Sequence, residues 1–190
     1  MSSDLAPGLL VAAPGMDCAF FNHAVVLLVE HNEDGALGFV INRPTEMPVT
    51  SLLEGLEIED LAAALPGEVW VGGPVAPDTG WVLFDPSSGE SSDVDALHIN
   101  ERLAVSASSA FLQQLADGRG PTRYAVLLGY AGWGPDQLDD EIRDGSWIPI
   151  DLDASLVFDR EPSERWTAAL ATLGIDPARV VGLAGGVAEA

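Results

Sequence analysis

Residues 24–44, AVVLLVEHNEDGALGFVINRP, constrain the fold more than any other stretch of this chain. Residues 24–30 are rich in β-branched side chains, and residues 36–41 bring the apolar run back. Between them lies the polar segment His31-Asn32-Glu33-Asp34-Gly35. It ends in Asp-Gly, the pair that best tolerates the positive φ of a tight hairpin turn, so the stretch predicts a β-hairpin. The second strand runs into Asn42-Arg43-Pro44. Proline donates no ladder hydrogen bond and drives its predecessor into extended geometry, so the strand is expected to stop there. An amide and a guanidinium are then set together at a strand end.

The rest of the chain mixes strand and helix signals. Residues 8–13 read as a short strand closed by Pro14-Gly15, and residues 69–71, 81–84, 96–99 and 103–106 read as further strands. Residues 76–80 separate two of these, and residues 85–92 form a polar loop. Pro48 sits where a helix would begin over the following residues, and 58–65 reads as another helical turn. Residues 108–116 read as a helix introduced by serine and closed by Gly118. Residues 123–129 form a buried-looking strand, which leads through the glycine-rich turn 129–134 into a helix over 135–144 with proline at its first position. A strand over 147–152 follows. Residues 162–173 then form a helix with Trp166, Ala169, Leu170 and Leu173 on one face and Gly174 as its stop. Strands occur in adjacent groups as well as alternating with helices, which points to a mixed α+β class. With 190 residues, 47% of them hydrophobic, one domain spanning 1–190 is expected, with 180–190 as a loosely ordered tail.

Charge narrows the chemistry. Thirty acidic residues face eight arginines, no lysine is present, and the net charge is -22. Affinity for nucleic acids rests on Lys and Arg neutralising phosphates, so direct DNA or RNA binding is not expected. The missing lysine also removes a Walker A loop, a Schiff-base lysine and the kinase β3 lysine. No apolar run approaches the ~20 residues that span a bilayer, and neither a signal-peptide pattern nor a cysteine pair is present. A cytoplasmic protein without membrane association is the expectation.

No side-chain set names a reaction. There is no G-x-S-x-G elbow, and His23, His31 and His98 are far apart in sequence, so no catalytic triad and no catalytic residue is assigned. Neither H-x-x-x-H nor H-E-x-x-H occurs, and no metal site or cofactor is expected. Asp136, Asp139, Asp140, Glu141 and Asp144 share a helix, where an exposed acidic face is the commoner reading than a cation site. Cys18 has no neighbouring arginine to activate it. Two glycine-bearing turns follow apolar strands, Gly72-Gly73-Pro74 and 129–134. The second precedes a helix, where backbone N–H groups can hold an anion, but it lacks the G-x-G-x-x-G spacing. Tyr130 and Trp133 either line a pocket or plug the core beneath that helix. Arg43, at the end of a buried strand, wants either an internal carboxylate or the anionic part of a ligand.

Three of these motifs carry a resemblance. Residues 35–44 (GALGFVINRP), Gly72-Gly73-Pro74-Val75, and 128–133 (LGYAGW) with Gln137-Leu138 and Glu141 are similar to the bacterial YqgE/AlgH family. Leu9 to Pro14, Phe21, Glu30-His31-Asn32, Trp147 and Arg165-Trp166 match in the same order, so the resemblance covers nearly the whole chain. It implies a compact α+β fold with a mixed, partly barrel-like β-sheet surrounded by helices. The family is commonly labelled a transcriptional regulator, and it offers no established catalytic residue to carry over. Some members bear a cysteine after the position of Trp147; Ile148-Pro149-Ile150 has none, so no thiol activity transfers. The family's histidine-bearing C-terminus is replaced here by Gly185-Gly186-Val187-Ala188.

The resulting expectation is a ligand- or protein-binding regulatory accessory module. Its partner would be a small molecule or a protein of unknown identity, held in a cleft formed by Asn42, Arg43, Gly72, Gly73, Pro74, Tyr130 and Trp133. A direct transcriptional regulator is the alternative that the charge disfavours. An enzyme acting on a small substrate in the same cleft is the other, with Arg43 as its anion clamp and an Asp or Tyr130 as its acid-base group.

Overall fold

The computed structural model describes residues 5–58, 65–91 and 95–184. The chain folds as two compact units, Met1–Asn42 with Ala131–Ala190, and Arg43–Tyr130.

In the first unit, β1 (Gly8–Ala12), β2 (Val25–Asn32), β3 (Gly35–Val40) and β10 (Trp147–Ile150) join the end of β9 (Tyr124–Trp133) in the order β10-β1-β2-β3-β9, antiparallel throughout. The expected hairpin is present, with a tighter turn. His31 and Asn32 extend β2, and the turn is made by Glu33 and Asp34, whose N–H donates to the Asn32 carbonyl oxygen Oδ1 at 2.8 Å. β1 and the first half of β2 are buried on both faces, the burial expected of unbroken apolar runs rather than alternating ones. Helix α5 (Pro162–Thr172) contacts β1 and β2, while α3 (Gln137–Arg143) contacts β3 and β10. Two consecutive residues fix α5. Trp166 Nε1 donates to the Ala12 carbonyl at 2.8 Å, and the buried Arg165 guanidinium donates to the carbonyls of Ile41 and Arg160. Burial pushes the Arg165 guanidinium down to about 10, opposed by the nearby Glu161 charge, which leaves it protonated at neutral pH.

In the second unit, β4 (Pro44–Pro48), β5 (Glu68–Val71), β6 (Val75–Phe84), β7 (Leu97–Asn100), β8 (Leu103–Ser106) and the beginning of β9 run in the order β7-β8-β6-β9-β5-β4. Only the β5–β9 pairing is parallel. Helices α1 (Val49–Gly55) and α2 (Ser109–Ala116) place Val49, Leu53, Phe111, Leu112 and Leu115 against Val82, Phe84 and Val126 of the strands. The Ser108 hydroxyl caps α2 by accepting the Phe111 N–H, as its sequence position suggests. The mixed α+β class is therefore present, and the strand path of each unit is open, not closed into a barrel.

The second hairpin strand stops as expected, β3 ending at Val40 ahead of Pro44. Several other local expectations are corrected. Pro44 goes on to open a new strand, because a proline at the first position of a strand leaves no ladder bond unmade. β6 begins at Val75, crossing the expected separator with a register shift before Gly80 and a positive φ of 45° at Ala76. The glycine-rich turn expected over 129–134 is largely strand, since β9 runs on to Trp133. α3 starts at Gln137, two residues beyond Pro135, with Asp136 at a φ of 60°. Leu173 is exposed, because α5 ends before it. A short helix α4 (Ser155–Phe158) adds to the expected elements, and α6 (Pro177–Ala184) occupies the first part of the expected tail. The remainder of that tail, 185–190, and most of the helical turn expected over 58–65 lie outside the described residues.

Candidate functional site

A cleft of about 740 Å³ lies within the first unit, between the loop carrying Met16, Asp17 and Phe21, helix α3, and the strand residues Trp133 and Trp147. Its centre is Glu141. Gln137 and Glu141, four residues apart, share one face of α3. Gln137 Oε1 accepts the Gly134 N–H at 3.0 Å, and its Nε2 donates to Glu141 Oε1 at 2.9 Å. Glu141 Oε2 accepts both indole N–H groups, from Trp133 and Trp147, each at 2.9 Å. One carboxylate thus orients two tryptophans that enter from separate strands. The rings complete the wall: Trp133 meets Trp147 edge-on with centroids 5.9 Å apart, and Phe21 stands edge-on to Trp147 at 5.4 Å. Phe21 also stacks on Trp133 at 6.3 Å. Asp17, Cys18 and Asp144 are exposed at the rim. Ligand pockets commonly combine apolar rings with a few fixed polar groups in this way.

The residues expected from the sequence to share a cleft divide between the units. Asn42 and Trp133 belong to the first, and Arg43, Gly72, Gly73, Pro74 and Tyr130 to the second. Asn42 serves the hairpin: its Oδ1 accepts the Val25 N–H at 2.9 Å, and its Nδ2 donates to the His23 carbonyl at 2.8 Å. Trp133 is the one member that lines the aromatic cleft. In the second unit, Gly72 and Gly73 are buried against Gly129. A Cβ on Gly72 would lie 2.4 Å from the Gly129 carbonyl oxygen, and one on Gly129 would lie 2.4 Å from that of Gly73. These glycines therefore permit close backbone packing. Arg43 is half-buried and its carbonyl accepts the Val71 N–H, while Pro74 is exposed. Tyr130 packs edge-on to Trp81 at 6.2 Å.

Comparison with known proteins identifies the lineage. The family model described as AlgH-like matches residues 9–178. The chain belongs to the AlgH-like family. A UPF0301 protein of Anaeromyxobacter dehalogenans is 42% identical over 191 residues, covering 98% of this chain and 96% of that one. A UPF0301 protein of Thioalkalivibrio sulfidiphilus is 40% identical over 184 residues, covering 97% of each. Among solved structures, the solution structure of the AlgH protein from Pseudomonas aeruginosa superposes with a TM-score of 0.77 at 36% identity, covering 100% of this chain and 98% of that one. Within this AlgH-like chain, Glu141, Gln137, Trp147 and Phe21 line the candidate cleft, and the functional reading of the sequence did not place them there. The available signal was the i, i+4 spacing of Gln137 and Glu141 on a helix that follows one tryptophan and precedes another. No helix among the described residues is long and apolar enough to cross a membrane.

Proposed function

We propose that this AlgH-like chain is a cytoplasmic regulatory accessory module that works by binding, with its ligand held in the aromatic cleft of the first unit. The observation that carries this reading is Glu141, a half-buried carboxylate that orients Trp133 and Trp147 at the wall of an open cleft of about 740 Å³. That volume lies in the usual range of ligand sites, roughly 300–1,000 Å³. The surplus of acidic residues opposes a direct DNA-reading role.

A native mass spectrum of the chain, after exposure to a small-molecule extract of bacterial cells, tests the proposal. The expected result is retained mass above that of the bare polypeptide, lost when Phe21→Ala removes part of the wall. A bare chain in both proteins would overturn it.

A further inference from the structure

We infer that the ligand of this cleft is a small organic cation, an ammonium or guanidinium group on an apolar body; the inference rests on the reading of the cleft as a binding site. Its lining includes three carboxylates, Asp17, Glu141 and Asp144, and no Arg or His. The chain has no lysine to add. Glu141 is bonded by three neutral donors, two indoles and one amide, and among the described residues no cation is paired with it. Neutral donors orient a carboxylate without cancelling its charge. A carboxylate oxygen offers about two acceptor positions. Oε2 uses both on the indoles, whereas Oε1 uses one on Gln137 and keeps one for a further donor. Asp17 and Asp144 at the rim are likewise without a side-chain partner among the described residues. The arginine on α3, Arg143, is turned to Asp140 instead.

The cleft therefore combines an uncompensated negative charge with an aromatic wall. An anion would meet only repulsion there, and a neutral ligand would leave the charge unanswered. A cation can donate to Oε1 while its apolar part covers Phe21 and Met16, both half-buried. Aromatic walls favour the same sign of charge, because ring faces attract cations.

Three probes with one apolar body separate the possibilities: 2-phenylethylamine, 2-phenylethanol and phenylacetate. Each is titrated into the full chain while the indole N–H resonances of Trp133 and Trp147 are followed by NMR. The amine is expected to shift both resonances saturably, the alcohol to bind about fivefold more weakly or worse, and the acid to leave them unmoved. Asp17→Asn with Asp144→Asn is expected to weaken the amine about fivefold and leave the alcohol unchanged. Glu46→Gln with Glu54→Gln removes the same charge from the second unit and is expected to leave the amine's affinity as it was. An equal loss in both double variants would assign the effect to the general field of the molecule and overturn the inference. Equal binding of all three probes would overturn the choice of a cation while sparing the cleft as a binding site. No movement of either resonance with any probe would remove both.

Discussion

Asp85 is the buried carboxylate among the described residues, only 1% exposed, and its surroundings decide how the second unit responds to acid. Its Oδ1 accepts the Ser87 N–H at 2.9 Å and the Ser87 hydroxyl, and its Oδ2 faces Arg102 at 3.4 Å and Arg123 at 3.6 Å. Burial pushes this carboxyl up, but the Ser87 hydrogen bonds and Arg102 together outweigh it and hold the group below its ordinary value of 3.8. A folded value below the unfolded one means that the charged form stabilises the fold. The contribution is complete above about 3.8 and drains away as pH falls through the lower folded value. Asp85→Asn keeps an oxygen for the Ser87 N–H and removes the charge. The variant is expected to cost about 1–2 kcal/mol at neutral pH. Urea midpoints measured down the acid limb should show this gap closing below pH 3.8. A gap that stays constant there would show that packing, not ionisation, is what the substitution disturbs.

At the scale of elements, β9 is where sequence and structure part company. The run 129–134 reads as a turn because glycines punctuate chains, and the rule is sound for glycines that have nothing beside them. Here the reason for glycine is lateral. Gly129 has a φ of 73°, and its missing Cβ leaves room for the Gly73 carbonyl. No single-chain pattern reveals which distant backbone will approach so closely. Gly129→Ala is expected to destabilise the fold by about 2 kcal/mol or more, from left-handed strain and the 2.4 Å approach together. Chemical denaturation with an unchanged m-value would check it; a loss under about 0.5 kcal/mol would show that the strand relaxes without penalty. The same limit explains the candidate site. The hairpin, the Ser108-capped helix and α5 are legible because caps, turn pairs and periodicity act within a few residues. Trp133 is legible as a candidate for its position beside glycines. Glu141 is not, because its role depends on Trp133 and Trp147 arriving at one carboxylate, and an acidic helix face looks alike whether its members point to solvent or to indoles.

For the whole molecule, the governing quantity is charge imbalance: thirty Asp and Glu against eight Arg. Several arginines are already committed to particular acids, Arg102 and Arg123 to Asp85, Arg119 to Asp117 and Arg143 to Asp140. The remaining carboxylates repel one another across the folded surface, and unfolding spreads them apart. Salt acts on both terms. It weakens the ion pairs, which are mostly exposed and contribute little, and it screens the long-range repulsion, which involves many more charges. Repulsion should dominate, so stability should rise with ionic strength. Between about 0.01 M and about 1 M NaCl the screening length falls from about 30 Å to about 3 Å, which spans the separations that matter. The urea midpoint is expected to increase across that range with little change in m-value. A midpoint that falls instead would mean that the arginine pairs, Asp85's foremost, stabilise the protein more than its surplus of carboxylates destabilises it.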